Sequence, residues 1–154
     1  MPAFTVRKAG SADIEALLVH RRGMYEDMGE GDPTTLAGMI DTSRPYLSQA
    51  LSNGTCHAWV AQTVEGSVAG GGLVIISPWL SHPYDQQCRR ATLLNIYVGP
   101  EFRRHGIARQ LMQTMVGWCR QQGFVHVSLH ASRMGRPLYE SLGFEPTTEM
   151  RLKL

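Results

Sequence analysis

Residues 94–109 combine the residue types that can bind a diphosphate. A strand-like run is followed by a loop with two arginines and then by Gly106, where a helical pattern begins. The first turn of a helix presents main-chain N–H groups without partners inside the helix, and its dipole favours an anion there. Gly106 and the small Ala108 let that backbone approach a ligand closely. The segment predicts either a pyrophosphate site or an arginine-rich surface loop leading into a core helix.

Two other sequence patterns that bind phosphate in proteins are not matched by this chain. The chain has no Walker-type Gly-Lys-Ser/Thr sequence. The three glycines at 70–72 lie inside a predicted strand and open no helix, so they differ from a dinucleotide-binding fingerprint. Glycines in the interior of a strand instead predict a β-bulge or a close approach of neighbouring backbone.

The anion-binding segment resembles the GCN5-related N-acetyltransferase (GNAT) superfamily. Residues 103–108, Arg-Arg-His-Gly-Ile-Ala, fit its Arg/Gln-x-x-Gly-x-Gly/Ala signature, and residues 98–103 resemble the Val-x-Pro-Glu-Tyr-Arg run that precedes it. A second block, residues 132–144, contains Leu-Tyr-Glu-Ser-Leu-Gly-Phe and resembles the Leu-Tyr-x-x-x-Gly-Phe run that ends the family's fourth helix. Two blocks in one chain are more specific than either block alone.

The resemblance implies an acyl-CoA N-acyltransferase fold that binds acetyl-CoA between two splayed parallel strands. By position those strands are residues 91–98 and 125–130. Main-chain groups of Ile96 and Val98, with Tyr97 between them, are expected to contact the pantetheine arm. The residues expected to hold the pyrophosphate are Arg103, Arg104, His105, Gly106, Ile107, Ala108 and Arg109.

Two positions of the later block depart from the family's pattern. Ser132 stands where asparagine is common, and Gly135 stands where alanine is common. The resemblance still implies that Ser132 hydrogen-bonds the cofactor, because a hydroxyl can both donate and accept. The residue at 108 is alanine, which falls within the signature.

The implied reaction is direct attack of a neutral amine on the acetyl thioester, with no metal. A main-chain N–H of Ile96 or Val98 is expected to polarise the thioester oxygen. Tyr139 occupies the position of the family's frequent proton donor to the departing thiolate. A phenol with a pKa of about 10 is protonated at neutral pH and can therefore donate. The alternative is a buried aromatic ring that closes the fourth helix against the sheet.

The general base is not evident from the sequence. Many relatives place a glutamate on or near the third sheet strand, but residues 93–97, Leu-Leu-Asn-Ile-Tyr, hold no carboxylate. Asn95 is expected to orient a water or the acceptor amine, and Glu26 is a candidate for the acceptor site. Further candidates, whose residue types are also typical of solvated surface positions, are Asp27, Glu30, His82 and Asp85.

Three functions remain open at this point. The first is an N-acetyltransferase whose acceptor is a small molecule or a protein N-terminus. The second is a non-catalytic acyl-CoA-binding regulatory module of the same fold, which the missing strand carboxylate leaves open. The third is a nucleotide-binding enzyme that uses the same anion site.

The composition is that of an ordinary soluble protein. Its 154 residues suit a single domain over 1–154, with 43% hydrophobic and 18% charged residues and a net charge of +2. That weak charge does not predict nucleic-acid binding, and no apolar run reaches the ~20 residues of a membrane helix. The three cysteines fit no zinc or redox spacing, so with no export signal they predict reduced thiols in the cytoplasm. His126 and His130 share a strand face, but two histidines alone do not predict a metal site.

Hydrophobic periodicity predicts the order strand, two helices, three strands, helix, strand, helix, strand. Because meander and crossover connections both occur, we expect an α/β (α+β) fold with one mixed sheet flanked by about four helices. Residues 77–90 form a long irregular stretch between two strands, which is typical of a binding or lid loop. The resemblance also makes a homodimer possible, with the final strand at 150–154 pairing with a partner.

Overall fold

The computed structural model describes residues 3–154. Their five strands form one sheet in the order β1-β2-β3-β4-β5, in which β1 to β4 are successively antiparallel and β4 and β5 are parallel. The strands are β1 Phe4–Lys8, β2 Cys56–Thr63, β3 Val68–Pro78, β4 Arg89–Val98 and β5 Val127–Leu129. The helices are α1 Ile14–Asp27, α2 Pro33–Asn53, α3 Ile107–Gln121 and α4 Arg136–Ser141. The predicted mixed sheet with four helices is confirmed.

Different helices cover the two faces of the sheet. On one face α3 buries an apolar stripe at helical spacing that includes Ile107, Leu111 and Met115. On the other face α1 and α2 bury residues that include Leu17 and Leu47. Each such side chain contributes roughly 1.5–3 kcal/mol when fully buried. No helix within residues 3–154 is both long and apolar enough to cross a bilayer.

The glycines of β3 let both helical layers approach the sheet closely. A Cβ on Gly71 would lie 3.2 Å from Leu17 Cδ2 of α1, and a Cβ on Gly72 would lie 2.7 Å from Met115 Cε of α3. Side chains at these positions would therefore require Leu17 and Met115 to shift. The pairing of β3 with β4 also shifts between Gly71 and Leu73. The extra residue at this shift lies on β4, and of the two predicted alternatives it is the close backbone approach that is confirmed, since a Cβ on Gly70 would lie 2.6 Å from Tyr97 O.

Two elements differ in extent from their predictions. The strand predicted over residues 125–130 is shortened to β5, whose three residues pair with residues 91–93 of β4. His126 does not continue that ladder but lies beside Asp85 of the loop between β3 and β4. A proline within a helical pattern predicts a break, because it removes one main-chain donor, but α2 runs through Pro45 without one.

The prediction of a strand at the end of the chain is wrong. Residues 144–154 form no strand in the structure. Met150, Leu152 and Leu154, whose alternation suggested the strand, are 94%, 80% and 109% exposed. Alternation produces a strand only where a neighbouring edge supplies hydrogen-bond partners, and no strand of the described chain pairs with this segment.

Candidate functional site

β4 contains a bulge near its middle. Leu94 pairs with Leu73 and Tyr97 pairs with Gly71, so three residue steps on β4 oppose two on β3. Asn95, inside the bulge, has a φ of +59°, in the left-handed region that asparagine adopts more readily than most residues. A bulge re-aims the strand that contains it, so the second half of β4 leaves the line set by its first half.

The Asn95 side chain fastens this bulge to α1. Asn95 is 4% exposed, and its Nδ2 donates to the main-chain oxygen of Leu17 at 2.9 Å. Its Oδ1 accepts a longer bond from Arg21 Nη1 at 3.4 Å. The amide expected to orient the acceptor is thus bonded within the protein, and its role at the acceptor stays a prediction.

The bulge coincides with the point where β4 and β5 separate. β5 pairs only with residues 91–93, whereas residues 94–98 pair with β3 alone. Ile96 and Val98, expected to contact the pantetheine, lie on this segment and pack towards α3, while the Tyr97 hydroxyl lies against Gly23 of α1. The edge of residues 94–98 that faces away from β3 can therefore bind an extended ligand through its main-chain groups, as it would bind another strand.

The predicted anion site follows directly after this open edge. α3 begins after Gly106, which has a φ of +79° and supplies no side-chain cap, and Arg104 also has a positive φ of 65°. The first helical hydrogen bond runs from Gln110 N–H to Gly106 O, so the N–H groups of residues 107–109 have no helical partner. Within residues 3–154 no main-chain acceptor bonds the N–H groups of residues 104–106 either. Such a run of open amides is typical of anion-binding backbone.

The three arginines predicted to hold a diphosphate have different partners. Arg103 Nη2 donates to Asp27 at the end of α1, and this hydrogen bond raises the pKa of Arg103. Arg109 Nη2 donates to Ser141 Oγ of α4 at 2.8 Å. Arg104 is exposed, and its guanidinium bonds no residue of the described chain. Of the three, Arg104 has the side chain most available to a phosphate.

The other predicted cofactor contacts also lie near the start of α3 or α4. His105 Nδ1 lies 3.1 Å from Phe102 O, and the Ile107 side chain is 1% exposed in the core below the loop. Ser132 Oγ accepts a hydrogen bond from Gly135 N at 3.1 Å. The Ser132 hydroxyl keeps its own proton to donate, so its contact with the cofactor stays a prediction.

Tyr139 lies on α4, with its ring in the hydrophobic core. It is 8% exposed, its ring centroid is 6.1 Å from that of Phe144, and it lines a cleft with β5 and part of residues 144–151. Burial raises the pKa of Tyr139, which keeps the phenol protonated at neutral pH. A Cβ on Gly135 would lie 2.8 Å from Tyr139 Cε2. The glycine that departs from the family's alanine therefore makes room for this ring.

The acidic candidates for the acceptor site have partners within the chain. Glu26 is 52% exposed, and its Oε1 pairs with Arg22 Nε at 2.9 Å. Asp27 pairs with Arg103, which joins the end of α1 to the loop before α3. Glu30 is exposed. Glu26 and Asp27 thus pair with different arginines, and the roles of these carboxylates at the acceptor stay predictions.

His20 is a buried polar residue that was missed in the sequence. It is 5% exposed, and its Nδ1 has no hydrogen-bond partner among the described residues. Its ring centroid lies 5.6 Å from that of Tyr97, on the α1 side of the β4 bulge. Burial lowers the pKa of His20 to about 4, so the imidazole is neutral at pH 7. Its position three residues after Leu17, on the same helical face, was the available signal.

Known proteins share this fold and sequence pattern. A model of the acetyltransferase (GNAT) family matches residues 14–144. Human N-acetyltransferase 8 is 33% identical over 120 residues, which are 75% of this chain and 48% of that protein. The chain thus spans about half the length of the curated relatives it matches.

Solved structures agree with the match to the family. A GCN5-related N-acetyltransferase from Ralstonia eutropha JMP134 is 33% identical and superposes with a TM-score of 0.92 over 99% of both chains. A predicted acetyltransferase from Clostridium acetobutylicum, solved with acetyl-CoA, is 24% identical and shares the fold, with a TM-score of 0.86 over 99% of this chain and 96% of that chain. The family match includes β4, the start of α3 and Tyr139. The chain therefore belongs to the GNAT acetyltransferase family.

Proposed function

We propose that this protein transfers the acetyl group of acetyl-CoA to a primary amine, carried by a small molecule or a protein N-terminus. Membership of the GNAT family supports acyl transfer in general. The observation that carries the proposal is the open edge of residues 94–98, which ends beside the uncapped start of α3. An extended arm bound along this edge brings its diphosphate to the open amides of residues 104–109.

The donors present in the chain fit acetyl-CoA. Main-chain groups of Ile96 and Val98 bind the pantetheine, and the N–H groups of residues 104–109 with the Arg104 guanidinium bind the diphosphate. The fold is shared with the Clostridium acetobutylicum protein that was solved with acetyl-CoA. When bound, acetyl-CoA supplies a thioester carbonyl as the electrophile.

Two groups of the protein act on the reacting atoms. A main-chain N–H of Ile96 or Val98 donates to the carbonyl oxygen and stabilises the negative charge that develops there. The amine nitrogen bonds to the carbonyl carbon, and the carbon–sulfur bond breaks. Tyr139 donates its phenolic proton to the departing sulfur and regains a proton from solvent. Its raised pKa keeps the phenol protonated at neutral pH before the reaction.

The lack of a carboxylate on β4 bears on the choice of acceptor. The strand Arg89–Val98 contains no Asp or Glu, so the amine loses its proton to water, which Asn95 or Glu26 would orient. An α-amino group has a pKa of about 7.7–8.0, whereas a lysine side chain has one of about 10.4. A larger fraction of α-amino groups is therefore neutral near pH 7.5, which favours an N-terminus over a lysine.

Thiol release tests this proposal. The purified chain is incubated with acetyl-CoA and a panel of amines that includes one peptide with a free N-terminus and its N-terminally blocked counterpart bearing a lysine. We expect turnover with the free N-terminus or a small amine, and an acetylated product by mass spectrometry. Tyr139→Phe should lower kcat by about 10²–10⁴-fold because it removes the proton donor, while acetyl-CoA affinity stays unchanged.

Other outcomes point to the alternative functions. Acetyl-CoA binding without turnover across the panel would favour a non-catalytic acyl-CoA-binding module. ATP binding that competes with acetyl-CoA, with no acetyl transfer, would favour a nucleotide-binding enzyme. Turnover by Tyr139→Phe at the parent rate would remove the tyrosine from the mechanism.

We further propose that this protein is cytoplasmic and that it can form a homodimer. All three cysteines are free thiols, and burial raises the pKa of Cys56 and of Cys119 to about 11. Protonated, buried thiols are consistent with a reducing compartment. Light scattering on the purified chain tests the oligomeric state.

A further inference from the structure

We propose that His82, Asp85 and His126 form a zinc site that fastens the loop between β3 and β4 to the start of β5. One ligand atom from each side chain lies within 4.8 Å of the others. His82 and Asp85 come from the loop, and His126 immediately precedes β5. The parallel pairing of β4 with β5 brings these distant segments together. None of the three residues takes part in the proposed acetyl transfer.

Hydrogen bonds leave one ligand atom of each loop residue available. His82 Nδ1 accepts from Tyr84 N at 3.4 Å, which leaves Nε2 for a metal. Asp85 Oδ1 accepts from Gln87 N at 3.1 Å, which leaves Oδ2 at 3.8 Å from His126 Nδ1. Metal ligands are commonly oriented by such a second hydrogen bond. Reciprocal main-chain bonds of 2.9 and 3.0 Å between His82 and Asp85 hold the loop in this shape.

The charge on Asp85 favours a cation at this position. Its side chain is only 8% exposed, yet no lysine or arginine of residues 3–154 forms a salt bridge with it. The other nearly buried aspartate in a salt bridge, Asp13 at 11% exposure, is paired with Arg7 at 2.9 Å. Asp85 has one hydrogen bond from Gln87 N and a 3.8 Å contact with His126, so a divalent ion between Asp85 and the two histidines would offset more of the cost of burying this carboxylate.

The donor set and its spacing fit Zn²⁺. Two imidazoles and one carboxylate are a common zinc triad with a fourth position open to water, whereas Ca²⁺ and Mg²⁺ prefer oxygen ligands. Tetrahedral bonds of about 2.0–2.2 Å place ligand atoms roughly 3.3 Å apart. The present separations of up to 4.8 Å therefore need to close by about 1.5 Å, and the His126 side chain, 52% exposed, has room to rotate.

Zinc titration by calorimetry on the full chain tests the site. All proteins carry Cys88→Ser, because that exposed thiol lies in the same loop and could bind zinc itself. We expect one Zn²⁺ per chain, with affinity lowered at least about tenfold by His82→Ala, Asp85→Asn or His126→Ala. The matched control, His130→Ala, removes an exposed histidine next to β5 and should change the affinity less than about twofold.

Circular dichroism checks that each variant is folded before titration. Absence of zinc binding in the Cys88→Ser parent would overturn the proposal, as would equal affinity in the parent and the three ligand variants. Because the readout is zinc affinity and not acetyl transfer, the result is independent of the proposed function.

Limited proteolysis tests the fastening of the loop. Leu80 and Tyr84 in the loop are 85% and 89% exposed, so chymotrypsin can reach both. Zn²⁺ should slow cleavage at these residues in the Cys88→Ser parent and leave the rate unchanged in the protein that also carries His126→Ala. Equal cleavage with and without bound Zn²⁺ in the parent would overturn the fastening.

Discussion

The start of α2 has an internal hydrogen-bond acceptor for its main-chain N–H groups, whereas the start of α3 has none. At α2, the Asp32 carboxylate accepts from Thr35 N at 2.7 Å, and Pro33 at the first helical position has no N–H to satisfy. At α3, Gly106 offers no side-chain acceptor, and its φ of +79° is that of a left-handed residue. The start of α2 supplies its own anion, whereas the start of α3 leaves that position open to an external anion.

This difference shows how a ligand position can be recognised in a helix terminus. A side-chain cap contributes about 1 kcal/mol, so a start without one gives up that stability. α4 also begins without a side-chain cap, although the Ser132 hydroxyl accepts from Gly135 N at 3.1 Å in the turn before it, so a missing cap does not by itself mark a ligand position. The missing acceptor at α3 lies where the open edge of β4 ends, and the two features together point to one ligand.

Giving α3 the acceptor that α2 has should strongly weaken acetyl-CoA binding. Gly106→Asp places a carboxylate at the helix start, where it competes for the open N–H groups and repels a diphosphate. Two like charges 4 Å apart repel by about 4 kcal/mol at an effective dielectric constant of 20. We expect acetyl-CoA affinity to fall by at least about 100-fold, measured by calorimetry.

Gly106→Asn is the matched control, because it has nearly the same shape and no charge, and asparagine tolerates a positive φ. Its affinity should fall much less than that of the aspartate variant. If both variants bind acetyl-CoA as tightly as the parent, the start of α3 is not the diphosphate site and the contrast with α2 has no functional meaning.

Arg104→Gly should move stability and binding in different directions. Arg104 has a φ of +65°, which costs a non-glycine residue roughly 1–2 kcal/mol, so glycine relieves strain while it adds about 1 kcal/mol of unfolded-state entropy. We expect the free energy of unfolding to stay constant or rise. Acetyl-CoA affinity should fall about tenfold with the loss of a charge-assisted phosphate contact.

Denaturant unfolding and calorimetry measure these two effects on the same samples. Arg104→Lys keeps the charge and the strained φ, and should retain most of the affinity. A glycine variant that binds as tightly as the parent would show that the open amides act without help from this side chain.

The two helix starts were predictable because their signals are local. Asp32-Pro33 predicts a capped start, and glycine after two arginines predicts a start that can hold an anion. Glycine after Gln121-Gln122 likewise predicts a left-handed residue at the end of α3, and Glu65-Gly66 predicts a turn; the structure has both, with φ values of +84° at Gly123 and +92° at Gly66. Each of these features depends on residues a few positions apart.

The features that could not be predicted depend on contacts between distant segments. The bulge position at Asn95 follows from a bond to Leu17 O across 78 residues. The turn of Arg103 towards Asp27 spans 76 residues, and no local pattern indicated it. The final strand was predicted from alternation alone, and it is absent because a strand needs an edge to pair with, which sequence alternation does not report.

The smallest effect should come from removing the cap that α2 supplies to itself. Asp32→Ala removes the bond to Thr35 N and should lower the free energy of unfolding slightly at pH 7, because solvent screens this exposed carboxylate. Hydrogen bonds from Thr35 hold the pKa of Asp32 below its ordinary value. The stabilisation is therefore present above the unfolded-state pKa and is lost as pH falls through the folded-state pKa, so parent and variant should converge in acid.

Denaturant unfolding at pH 7 and in acid measures this difference, with Asp32→Ser as the control because serine keeps an acceptor. Acetyl-CoA affinity should be the same in parent and Asp32→Ala, since this helix start binds its own carboxylate and has no amides left for a ligand. A loss of affinity in Asp32→Ala comparable to that in Arg104→Gly would mean that α2 contributes to the ligand site. The two helix starts would then share one function, and the absence of a cap at α3 would no longer distinguish them.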